Sequence, residues 1–122
     1  MNGDPEQLLV QIRTDGPAVC VVLRGELCLA ASPTVDRLLR DLPAGDVVLD
    51  VSDVTFCDSS GLSTLVGAHR RARLAGTAVT LRGPQGPLLR MLRMTGVDVL
   101  FDVEAADGAA HVADLPTGGA PA

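Results

Sequence analysis

Apolar residues recur at every second position in Leu8, Val10 and Ile12, and after Thr14-Asp15-Gly16-Pro17 the chain enters the apolar stretch Ala18 to Leu23. Period-two patterning, a turn built of chain breakers and a second β-prone run predict a hairpin. Beyond Gly25 the period changes. Val35, Leu38, Leu39 and Leu42 stand at i, i+3, i+4 and i+7, the spacing of one helical face. Ser32 is placed to cap that helix, Pro33 suits its first turn and Pro43 stops it. Val47-Val48-Leu49-Asp50-Val51 is almost continuously apolar and β-branched, which predicts a central strand covered on both faces.

A short loop through Phe56 is expected to lead into Asp58-Ser59-Ser60-Gly61. Leu62, Leu65, Val66, His69 and Ala72 then mark the face of a second helix, and Gly76 supplies its left-handed end. Thr77 to Arg82 alternates as a strand does; Gly83-Pro84-Gln85-Gly86-Pro87 breaks it, and Leu88, Leu89, Leu92 and Thr95 form a short helix closed by Gly96. Val97 to Val103 has the composition of a last strand, and Glu104 to Ala113 that of a weak helix interrupted at Asp107-Gly108. The succession implies an α/β fold: a mixed sheet of about five strands opened by an antiparallel hairpin, with three to four helices. Residues 1–7 read as a tail, residues 8–114 as one domain, and residues 115–122, with their Pro and Gly, as a disordered tail.

At 122 residues the chain has the length of a single domain. With two Phe and neither Trp nor Tyr, its core must be aliphatic. No apolar run approaches the roughly 20 residues that cross a bilayer, and Met1 to Gln7 lacks a signal peptide's pattern, so a cytoplasmic protein without membrane contact is expected. Cys20, Cys28 and Cys57 are widely spaced and include no Cys-x-x-Cys pair, which argues for reduced thiols and against a metal or cofactor. A net charge of -5 disfavours direct nucleic-acid binding. Every basic residue is Arg, so Lys-dependent chemistry is excluded.

In open α/β sheets, functional sites gather where strands end and loops enter the next helix. Asp58-Ser59-Ser60-Gly61-Leu62 occupies that place. Capping alone accounts for such a string, since Asp, Ser and Gly all suit a helix start. The first helical turn also leaves backbone N–H groups free and carries partial positive charge, so it accommodates a phosphate. Local chemistry does not choose between Ser59 and Ser60, because either can cap and neither has Glu or Gln three positions on.

The whole run Val48-Leu49-Asp50-Val51-Ser52-Asp53-Val54-Thr55-Phe56-Cys57-Asp58-Ser59-Ser60-Gly61-Leu62 resembles the signature segment of the STAS family, specifically the bacterial anti-sigma-factor antagonists. Leu23-Arg24-Gly25-Glu26-Leu27 resembles the family's strand-ending Gly-Glu-Leu, and Leu92-Arg93-Met94-Thr95-Gly96-Val97 its late helix stop. The three motifs keep the family's order, and the resemblance spans about residues 8 to 104. It implies a non-enzymatic antagonist that binds an anti-sigma factor with serine kinase activity and frees a sigma factor. It further implies that phosphorylation of Ser59 switches the antagonist off and that a protein phosphatase resets it. Glu26, Cys28, Asp58, Ser59, Ser60, Gly61 and Leu62 are the partner-binding residues so implied. Cys28 departs from the family, which often has Asp after Gly-Glu-Leu.

Other functions fit the sequence less closely. A STAS module of a different signalling scaffold, or one that binds a small ligand, shares the same motifs. A small hydrolase would need a base for Ser59, and His69 lies ten residues away on one helix, about 15 Å at the helical rise; no Gly-x-Ser-x-Gly elbow is present. Asp50, Asp53 and Asp58 suggest a phosphoacceptor aspartate with magnesium, against which stands the absence of Lys. Arg70, Arg71 and Arg73 are expected to form a solvated basic face. Without Trp or Tyr, Leu62 and Leu29 are the apolar anchors available to a partner.

Overall fold

The computed structural model describes residues 8–14 and 16–105. Its strands are β1 Leu9–Arg13, β2 Val19–Leu27, β3 Val47–Cys57, β4 Val79–Arg82 and β5 Asp102–Glu104. They form one sheet in chain order, β1-β2-β3-β4-β5. β1 and β2 pair antiparallel as a hairpin; β2, β3, β4 and β5 are parallel. Parallel neighbours require crossovers, and these are the helices α1 Ser32–Arg40, α2 Ser59–Ala75 and α3 Gly86–Thr95. The mixed sheet with its opening hairpin and three helices is the architecture that the hydrophobic periods imply.

Register fixes which side chains meet the helices. Ile12 pairs with Val21, Val21 with Leu49, Leu49 with Leu81, and Leu81 with Val103, so these residues share a face. Val21, Leu23, Leu49, Val51, Val79 and Leu81 join Val35, Leu65, Leu88 and Leu92 from the helices in one aliphatic core. The opposite face of the paired region carries Cys20, Val22, Asp50 and Arg82, with Arg82 bridged to Glu104 of β5 at 3.1 Å.

Several boundaries differ from the sequence expectation. The segment Ser52 to Phe56, expected as a loop, continues β3 to Cys57. It pairs there with the end of β2, through bulges that set Glu26 opposite Phe56 and Leu27 opposite Cys57. Pairing with β4 stops at Asp50, and the Gln85 side chain donates a hydrogen bond to the Ser52 carbonyl at 2.6 Å just beyond. Ser32 does not cap α1: its hydroxyl turns back to the Cys28 carbonyl at 2.8 Å, and Ala31 holds the cap position. Val97–Leu100 is a short 3-10 helix rather than strand, and β5 is confined to three residues. Gly76 and Gly96 end α2 and α3 with φ of 77° and 78°, as expected of left-handed stops. The tails 1–7 and 115–122 and the weak helix to Ala113 beyond Ala105 lie outside the described residues.

Candidate functional site

The long β3 delivers Asp58 to the start of α2, beside the end of β2 and the loop that follows it. Asp58 is the N-cap: its Oδ1 accepts from the Gly61 amide at 3.0 Å and its backbone carbonyl from the Leu62 amide at 3.0 Å. Its other carboxylate oxygen, Oδ2, accepts from the Leu29 amide at 3.0 Å, and its own amide donates to the Leu27 carbonyl at 3.3 Å. One side chain thus ties the β2–α1 loop to the helix start. Since Asp58 fills the cap, neither Ser59 nor Ser60 does.

Ser59 is the first residue of α2 and is exposed; Ser60 is half-buried. No hydrogen bond engages either hydroxyl among the described residues. Ser63 is exposed one turn in, while Thr64 is buried and donates to the Ser60 carbonyl at 3.1 Å. Leu29, whose amide Asp58 holds, and Phe56, two residues before Asp58, are exposed apolar side chains, 69% and 46% accessible. The exposure of Phe56 is not legible in the sequence because the expected loop gives it no orientation; the strand ending at Cys57 presents it beside Glu26.

Gly61 and Leu62, expected among the partner-binding residues, are buried. A methyl group on Gly61 would overlap the carbonyl oxygen of Leu27 and approach its side chain within 2.7 Å. Gly61 therefore allows α2 to seat directly on the end of β2, and Leu62 packs into the aliphatic core beneath. Glu26 and Cys28 are half-buried and line a cavity of about 290 Å³ together with Val10 and Val35. Cys57 is buried, and burial first, then the charge of Asp58, pushes its thiol up to about 11. It stays protonated at neutral pH and acts as an apolar residue.

The groups named for the alternative chemistries are engaged separately. His69 is half-buried and packs in a tilted ring contact against Phe101, with centroids 5.2 Å apart and planes at 56°. Asp50 accepts from the amide and hydroxyl of Ser52, Asp53 pairs with Arg24 at 3.4 Å, and Asp58 is the cap. The three carboxylates do not converge, and no His, Cys, Asp or Glu group among the described residues could hold a metal ion. Arg71 also departs from the solvated face expected of it, since it is half-buried and pairs with Asp36 of α1 at 3.3 Å.

The STAS domain family model matches residues 10–110, most of the chain. The chain belongs to the STAS domain family. This STAS domain is 26% identical over 97 residues to the anti-sigma-B factor antagonist of Listeria monocytogenes, covering 77% of this chain and 85% of that one. Among solved structures, an anti-sigma factor antagonist from Mycobacterium paratuberculosis superposes with a TM-score of 0.67 at 24% identity, covering 84% of this chain and 90% of that one. The phosphorylated form of the Bacillus cell fate determinant SpoIIAA superposes with a TM-score of 0.64 at 16% identity, covering 84% and 97%. At these identities the solved structures share the STAS fold. No helix among the described residues is long and apolar enough to cross a membrane.

Proposed function

We propose that this STAS domain is an anti-sigma factor antagonist whose binding to an anti-sigma factor is switched off by phosphorylation of Ser59. The observation that carries this is the division of labour at the start of α2. Asp58 holds the structure, leaving Ser59 exposed with its hydroxyl unengaged. Family membership and the relatives named as anti-sigma factor antagonists support the class of partner. The related fold that exists in a phosphorylated form supports the modification.

The partner is an anti-sigma factor that is itself a serine kinase, and a phosphatase restores the free hydroxyl. Phosphate adds about 1.5 to 2 negative charges at a helix start that favours them by roughly 0.3 to 1 kcal/mol. The fold is therefore retained. The surface changes instead: a dianion arrives beside Asp58, Leu29 and Phe56, where an apolar partner surface would have to bury it. A penalty of about 3 kcal/mol lowers affinity roughly a hundredfold. The proposed contact surface is Glu26, Cys28, Leu29, Phe56, Ser59 and Ser60, with Asp58, Gly61 and Leu62 shaping it from behind.

Calorimetric titration against the kinase from the same cell, with wild type, Ser59→Ala and Ser59→Asp, tests the switch. Wild type and the Ala variant should bind alike and the Asp variant far more weakly. Equal binding by all three would sink the switch.

A further inference from the structure

β1 stands at the open edge of the sheet, paired with β2 alone among the described strands. Open edges are usually guarded by Pro, bulges or inward charge. β1 is Leu9-Val10-Gln11-Ile12-Arg13, contains no Pro, and pairs with β2 in unbroken register. Ile12, on the core face, is 45% exposed, and Leu9, on the other, 68%. Between β1 and α1 runs an apolar groove made of two cavities that share Thr34. One, of about 290 Å³, is lined by Val10 and Val35 with Glu26 and Cys28; the other, of about 370 Å³, by Ile12, Leu38 and Leu42. The second carries one charge of each sign on its rim, Arg37 and Asp41.

We propose that this edge is a homodimer interface, in which β1 pairs antiparallel with β1 of a second copy about a two-fold axis through Gln11. A two-fold perpendicular to the sheet keeps each face continuous, because pairs then join residues of the same face. Centred on Gln11, the register uses all five residues of β1. On the core face Val10 meets the second copy's Ile12, an apolar β-branched pair. On the opposite face Gln11 meets Gln11 and Arg13 meets Leu9, so no arginine faces an arginine. The rim of opposite charges presents no net charge to an identical copy. The result is one ten-stranded sheet by doubling the five strands, with the groove beside Ile12 closed by the second copy. The pairing is made by β1 and leaves Ser59 aside; Glu26 and Cys28 of the proposed anti-sigma contact surface line the first cavity, so the dimer is tested by its mass and not by anti-sigma binding.

Sedimentation velocity of the full chain from about 1 to 100 µM should show a monomer–dimer equilibrium. Ile12→Lys should shift the sample to monomer at every concentration, with circular dichroism and melting temperature unchanged. In a Cys28→Ser background, Gln11→Cys should crosslink to a dimer with a short bis-maleimide, while Arg24→Cys on β2 should not. A wild-type monomer throughout, or a dimer indifferent to Ile12→Lys, overturns the interface. A chain lacking residues 2–6 that dimerises where the full chain does not would assign the edge to the chain's own N-terminal segment, and that also overturns it.

Discussion

Asp58 makes three different kinds of contact within a few ångströms: it caps α2, anchors the β2–α1 loop through Leu29, and receives the end of β2 through its amide. Replacing an N-cap costs about 0.5 to 2 kcal/mol, and here the loop tie is lost as well. Asp58→Ala should lower stability by roughly 2 kcal/mol in urea unfolding, with Asp58→Asn recovering part of it. Gly61→Ala should cost about 1 to 3 kcal/mol in the same measurement, because the added methyl meets backbone that cannot turn away. A near-neutral Gly61→Ala would show that α2 is free to lift from β2. At this scale the sequence was only half legible. The string Asp58-Ser59-Ser60-Gly61 announced a helix start, but three of its residues are competent caps, and only the register of β2 against β3 shows which one is used. Gly61 looked like a surface residue because a glycine's steric duty depends on a strand more than thirty positions away in the chain.

Among the elements, α1 and α2 are locked by charge as well as by packing. Asp36 of α1 accepts from Arg40 at 2.8 Å in its own helix and from Arg71 of α2 at 3.3 Å. The Arg40 hydrogen bond, and then the charges of Arg40 and Arg71, hold its carboxyl below the usual range against a partial desolvation. A carboxylate with a folded pKa below its unfolded one stabilises the fold above the unfolded value, near 4. That contribution is lost as pH falls through the folded value. The side chain is about one-third exposed, at 34%, so solvent keeps the contribution near 1 kcal/mol or less. Melting curves of wild type and Asp36→Asn should differ at pH 7 and converge as the pH drops below about 4; a constant gap would remove Asp36 as the titrating group.

The same level shows why element boundaries were the hardest part to read. Ser52 to Phe56 mixes polar and apolar residues because pairing with β4 ends at Asp50 while pairing with β2 continues through bulges. A strand paired on one side and bulged has no simple period. Val97 to Leu100 is apolar enough for a strand, but the left-handed Gly96 turns the chain into a 3-10 helix before β5 begins.

For the molecule as a whole, the order and type of the elements were legible because hydrophobic periods are long-range averages that single residues do not disturb. The exposed surface was not, since exposure is a property of the assembled fold: Leu62 lies in the core, whereas Phe56 faces solvent. Phe56→Ala and Leu29→Ala should each weaken binding to the proposed anti-sigma factor by about tenfold or more without lowering the melting temperature. If Phe56→Ala binds as wild type does, the contact surface lies elsewhere on the domain.

Because the carboxylate of Asp58 carries the architecture of this corner, position 59 is released from it. A serine, an alanine, a permanent acid or a phosphoserine can stand there on the same backbone. Under the proposed function, new settings of the switch, always on, always off or reversible, are then reachable by one substitution at a time, with no refolding around any of them.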